Sequence, residues 1–147
     1  MPAERLNIHL RKKRRIKKNK GQDQNSISVR VKLWLEIEGK PFFGEGRFQL
    51  LKGIHQYGSI NQVAKAVNIP YRRAWSNLHA MEKRLGIRML NTQVGGPNGG
   101  GTKLSKEAKE FLARFEHISS YLEGFVEKEF SDFLMTMRYA ISHNAMD

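Results

Sequence analysis

The hydrophobic period of the chain changes several times, and each change marks a new element. From Ser28 onward apolar and polar residues alternate strictly, with Val29, Val31, Leu33, Leu35 and Ile37 on one side and Arg30, Lys32, Trp34 and Glu36 on the other. A period of two is that of a half-buried strand. Gly39-Lys40 supplies a turn, Pro41-Phe42-Phe43 a short return strand, and Gly44 and Gly46 release the chain into the next element. Trp34, on the polar side, reads as a packing or interface residue.

The period then becomes helical. Phe48, Leu51, Ile54 and Tyr57 recur three apart, which predicts a helix over 47–57 that Gly58 ends. Ser59 is placed to cap a second helix whose apolar positions Ile60, Val63, Ala64 and Val67 fall at i, i+3, i+4 and i+7. After Asn68-Ile69 a third helix is predicted to start at Pro70, where the missing N–H costs nothing, and to run to Leu85 before Gly86. Its buried stripe is Ala74, Leu78, Met81 and Leu85, with Trp75 beside it, expected mainly in the core with its N–H in reach of phosphate. Tyr71, Arg72, Arg73, Ser76, Asn77 and Lys83 fall off the stripe.

Ile87 to Val94 and Thr102 to Leu104 read as the two strands of a hairpin. Between them lies Gly95-Gly96-Pro97-Asn98-Gly99-Gly100-Gly101, a stretch suited to positive φ angles or to close approach of another backbone. Ser105 is the expected cap of a long last helix with Phe111, Leu112, Phe115, Ile118, Leu122 and Phe125 along one seam, continued past Gly124 by Phe130, Phe133, Leu134 and Met137. These residues exceed what a small domain can cover. They fit either an isologous dimer interface or packing back on the N-terminal hairpin, and the two can hold at different ends.

The order of elements predicts a mainly α chain with small β hairpins: an α+β, winged helix-turn-helix domain with an N-terminal hairpin and a long C-terminal dimerisation helix. The expected division is a disordered basic tail over 1–26, the winged domain over 27–104 and the dimerisation region over 105–147. Charge sharpens this picture. Twenty-six Lys and Arg against 14 Asp and Glu give a formal charge of +12, which favours a polyanionic partner. Nine of the cations lie in residues 1–26, either as an arm that follows DNA or as a solvated charge run. With no cysteine there is no disulfide framework and no thiolate chemistry. No stretch approaches the roughly 20 apolar residues that span a bilayer, and no signal-peptide run is present, so the expectation is a soluble, cytoplasmic, nucleoid-associated protein without a membrane partner.

Residues 47 to 113 resemble the N-terminal DNA-binding domain of ModE-type molybdate-responsive regulators, relatives of the LysR-type winged helix. The strings that carry the resemblance are Leu50-Leu51, Gly58-Ser59-Ile60, Ala64-Lys65-Ala66, Tyr71-Arg72-Arg73-Ala74-Trp75, and Gly95-Gly96 with Gly99-Gly100-Gly101 before Leu104-Ser105. The resemblance implies a homodimer on a palindromic operator in double-stranded DNA. Tyr71, Arg72, Arg73 and Ser76 would face the major groove with Asn77 behind them, and Ser59, Asn61 and Gln62 would lie at phosphate. The wing residues Gly95, Gly96, Gly99, Gly100 and Lys103 would meet the adjacent backbone. Where the family typically has serine before the tyrosine this chain has Pro70, and Pro97-Asn98 stands where a basic residue and a glycine are usual. The family's oxyanion-sensing domains follow the DNA-binding domain, so this chain, ending at Asp147, is not expected to bind molybdate by the family's route.

Other chemistries fit poorly. Gly96 and Gly101 have the spacing of a P-loop, but Thr102-Lys103 reverses the required order and the preceding strand belongs to a hairpin. His9, His55, His79, His117 and His143 lie in different elements without ligand spacing or a paired carboxylate motif. The expectation is therefore neither an enzyme nor a cofactor or metal protein. The rival readings are a nucleoid-type architectural binder with little sequence preference and the DNA-binding subunit of a separate sensor.

Overall fold

The computed structural model describes residues 29–95 and 101–144. The basic tail and the wing-tip residues Gly96, Pro97, Asn98, Gly99 and Gly100 lie outside them. The elements are β1 (Leu35–Ile37), β2 (Lys40–Phe43), α1 (Glu45–Tyr57), α2 (Ile60–Ala66), α3 (Tyr71–Leu85), β3 (Leu90–Gln93), β4 (Gly101–Leu104) and α4 (Lys106–Asn144). Residues 33–114 form one compact unit; residues 29–32 and 115–144 group as a second.

In the first unit the sheets are two separate antiparallel hairpins. Alternating burial persists from Val29 to Ile37, as the alternating sequence requires, but only Leu35–Ile37 is laddered because the return strand is four residues long. A bulge between Leu35 and Glu36 shifts the register. The turn is Glu38-Gly39 instead of Gly39-Lys40: Ile37 pairs with Lys40, and both turn residues have positive φ, 52° and 71°. That is the twist-matched two-residue turn of a hairpin.

Helix α1 starts two residues ahead of the predicted point, with Gly44 as its extended N-cap and Gly46 inside its first turn. Gly58 ends it in the left-handed conformation, φ 66°. Ser59 caps α2 as the sequence indicates, its Oγ accepting from the Gln62 amide at 3.3 Å. Asn68 takes a left-handed φ of 56° in the turn to α3, a conformation asparagine tolerates. Pro70 is the N-cap of α3 and not its first helical residue, with φ −60° and ψ 142°. Its carbonyl accepts from the Arg73 and Ala74 amides, and it offers no side-chain cap.

The core of this unit lies where the three short helices meet the two hairpins. Leu51, Ile54, Val63, Ala74, Leu78 and Met81 are sealed from solvent, with Phe43 and Met89 closing the hairpin sides. Helix α4 enters this core by its first turns: Ala108 is buried, Ser105 Oγ caps its amide at 3.0 Å, and the Phe111 ring meets Phe43 edge-on at 4.7 Å. Packing back on the N-terminal hairpin thus occurs at the start of α4. In the second unit, helix α4 runs unbroken through Gly124 and leaves Phe125, Phe130, Phe133 and Met137 exposed.

Helices α1 and α2 approach each other closely at Gly53, in the middle of α1. A Cβ built there would fall 2.7 Å and 2.9 Å from the two γ-carbons of Val63 on α2. Valine is stiff at χ1, so it has little freedom to yield. Gly53→Ala is therefore expected to destabilise the domain by about 1–3 kcal/mol despite alanine's better helix propensity. Urea unfolding checks this, and the Gly53→Ala/Val63→Ala double variant should lose less than the sum of the two single changes.

Candidate nucleic-acid interface

Helices α2 and α3 with the β3–β4 hairpin form a winged helix-turn-helix arrangement, and the site follows from how the hairpin is fixed to the helices. Strand β4 is held at the end of α1: the Thr102 amide donates to the Gly58 carbonyl at 2.8 Å. The backbones approach so closely that a Cβ on Gly101 would lie 3.0 Å from the same oxygen. Strand β3 is held at α3, where Glu82 Oε1 accepts from the amides of Met89 and Leu90 at 2.8 and 2.9 Å. The hairpin register is Leu90 with Leu104, Asn91 with Lys103, Thr92 with Thr102 and Gln93 with Gly101. The strand is shorter than Ile87–Val94: Ile87 precedes the Glu82 clamp, and Val94, 94% exposed, lies beyond the last pair.

Glu82 has a second consequence. Between Glu45 and Glu107 the sequence carries ten Lys and Arg and this one carboxylate. Glu82, the one carboxylate of this stretch, is engaged with backbone amides of the hairpin. Two of the arginines join elements of the fold. Arg84 Nη1 donates to the Pro41 carbonyl at 3.2 Å, and Arg47 Nη1 donates to the Phe42 carbonyl, so both arginines tie helices to β2. Burial foremost, and then neighbouring Arg84, lower the pKa of Arg47 from its ordinary value.

Most of the residues singled out from the sequence lie on the outside of these elements. Tyr71, Arg72, Arg73 and Ser76 are exposed in the first two turns of α3, while Asn77 is half-buried. Arg72 and Ser76 project from the helix opposite the buried stripe of Ala74, Leu78 and Met81. On α2, Asn61 and Gln62 are exposed and Ser59 is half-buried. The Ser59 oxygen caps the helix, which leaves its O–H able to donate outward. Lys103 and Gly95 are exposed on the hairpin, whereas Gly96, Gly99 and Gly100 fall outside the described residues.

Trp75 departs from its expectation. It is 46% exposed instead of mainly buried, and its ring lies against His79 at a centroid distance of 3.9 Å. Position 75 adjoins the buried stripe only at its edge, one residue beyond Ala74. His79 Nδ1 is buried 3.3 Å from Glu82 Oε2, an approach that lacks hydrogen-bond geometry. Sequence reasoning placed neither Glu82 nor His79 in the site; the signal available for Glu82 was its isolation among cations. Among the described residues no cluster of three His, Cys, Asp or Glu could hold a metal ion, and no helix is long and apolar enough to cross a membrane.

Removing the Glu82 clamp should loosen the hairpin where it leaves α3. Glu82→Ala is expected to cost about 2 kcal/mol and to speed hydrogen exchange selectively at the Met89 and Leu90 amides, measured by NMR.

No family model matches the chain. It is similar to the transcriptional regulator ModE of Haemophilus influenzae, 37% identical over 89 residues, which are 60% of this chain and 35% of that protein. The molybdenum transport protein ModE of Herbaspirillum seropedicae is 39% identical over 71 residues, covering 48% of this chain and 26% of the relative. The DNA-binding transcriptional dual regulator ModE of Escherichia coli K12 is 29% identical over 93 residues, 63% of this chain and 36% of the relative. The chain thus spans about a third of the length of the curated relatives it matches. Over that shared segment the chain is similar to ModE-type transcriptional regulators.

Proposed function

We propose that this protein is a sequence-specific DNA-binding transcriptional regulator that acts as a homodimer on a two-fold-related operator in the cytoplasm. The observation that carries the reading is the exposed set at the start of α3, Arg72, Arg73 and Ser76, in a stretch of chain whose one carboxylate is engaged with backbone amides. Arginine pairs bidentately with the O6 and N7 acceptors of guanine, and the N-terminal turns of a recognition helix are those that reach base edges. Ser59, Asn61 and Gln62 on α2 then lie at phosphate, and the hairpin with Lys103 meets the neighbouring backbone. The similarity to a DNA-binding regulator of Escherichia coli supports the same reading.

Dimerisation rests on α4, whose exposed Phe125, Phe130, Phe133 and Met137 form an apolar face suited to a second copy. Sedimentation equilibrium should show a dimer that Phe130→Asp/Phe133→Asp converts to monomer with the helix content of the winged domain retained. A monomeric wild type overturns the dimer.

Selection of bound sequences from a random DNA pool, at near-physiological salt with competitor DNA, tests the function directly. A palindrome with half-sites roughly one helical turn apart is the expected result. Tight binding without a motif, with a steep salt slope, would replace this reading by that of an architectural binder. Arg72→Ala should relax preference at one position of the half-site, whereas neutralising the basic tail should weaken specific and random DNA alike. Equal losses on both DNAs for Arg72→Ala would remove its readout role.

A further inference from the structure

Tyr71, Trp75 and His79 follow one another at four-residue spacing along one flank of α3, the flank that Glu82 joins to β3. Helical neighbours at this spacing stack one above the next. The Trp75 ring rests on His79, His79 Nδ1 sits 3.3 Å from Glu82, and Glu82 holds the amides that begin the wing. The lower part of the indole is therefore fixed by the fold, while nearly half of it, like half of Tyr71, stays in solvent. Other large apolar side chains of the same helix, Leu78 and Met81, are fully withdrawn. A braced, flat apolar surface is thus presented between the outward Arg72–Ser76 row and the wing.

We infer that Trp75 is a specificity-determining residue that reads the C5-methyl group of a thymine on the wing side of the half-site. The inference rests on the DNA-binding reading above. If α3 enters the major groove, the groove's edge shows hydrogen-bonding groups at every base pair and one apolar group, the thymine methyl. Arg72 and Ser76 match the former in chemistry, and Trp75 matches the latter. Arg72, Arg73 and Lys83 on the same helix supply cations before and after it along the axis. The His79 ring packed against the indole restrains it before DNA arrives, so less freedom is lost on contact.

The test uses the full chain and duplexes of its selected site in which each thymine in turn is replaced by deoxyuridine, a change that removes one methyl group. Wild-type protein should lose about fourfold in affinity at one thymine per half-site, the worth of one methyl taken out of water. Trp75→Ala should bind the thymine and deoxyuridine duplexes at that position equally well. Trp75→Phe, which retains an aromatic ring, should keep part of the difference. With Trp34→Phe as background, Trp75 is the sole tryptophan, and its fluorescence should change on binding and respond to deoxyuridine at that same position alone. This last readout requires no change at Trp75 itself and so is independent of any effect of its replacement on folding. Equal sensitivity to deoxyuridine in wild type and Trp75→Ala, or Trp75 fluorescence indifferent to every replacement, overturns the inference while leaving DNA binding intact. Failure of the wild type to bind any duplex overturns the DNA-binding reading and the inference with it.

Discussion

The arrangement depends first on two backbone anchors that fix a short hairpin to a helical core. A two-stranded ribbon of four-residue strands is marginal in water by itself. Here one strand donates an amide to the Gly58 carbonyl at the C-terminus of α1, and the other donates two amides to one oxygen of the Glu82 carboxylate on α3. The first anchor needs glycine on both sides. Gly58 takes a left-handed φ to end α1, and Gly101 leaves room for the carbonyl that a side chain would press against. With both strands held, the wing and the exposed face of α3 become one surface with a fixed geometry.

The same anchors sort the charges of that surface. A carboxylate that accepts two amide hydrogens has little reason to turn outward, because charge-assisted bonds to buried donors are among the stronger polar contacts a fold makes. Turning Glu82 inward removes the one acid of a long basic stretch from the outer face. Folding thus sharpens a positive field that composition only announces. Arg47 and Arg84 are spent in the opposite way: each donates to a carbonyl of β2 and joins the N-terminal hairpin to α1 and α3.

Helix α4 divides its apolar residues between two kinds of task. Its first turns complete the core of the winged unit through Ala108, Leu112 and the edge-on contact of Phe111 with Phe43. Farther along, Tyr121 and Phe125 stack on each other at 6.4 Å and remain in solvent. The seam in the sequence is continuous, yet its physical meaning changes at the point where the small domain runs out of surface to cover.

The sequence by itself determined the order of the elements, the caps at Ser59 and Ser105, the helix stops at Gly58 and Gly86, and the buried stripe of α3 at Ala74, Leu78 and Met81, because each depends on neighbours within a few residues; Leu85, expected in that stripe, is only half-buried in the last turn. It also placed Arg72, Arg73 and Ser76 on the outer face of α3, since a 3.6-residue period leaves them nowhere else to point. Tertiary structure alone decided the rest. The extent of β1 depended on the length of its partner, and the start of α3 on an N-cap conformation that Pro70 could adopt as readily as a first helical turn. The exposure of Trp75 followed from its place at the edge of the stripe, with its ring against His79, and the clamp by Glu82 from where β3 arrives in space. Gly53 could not be told from a weak point in a helix until Val63 was found against it. These contacts join residues that periodicity does not relate, and only the folded chain brings them together.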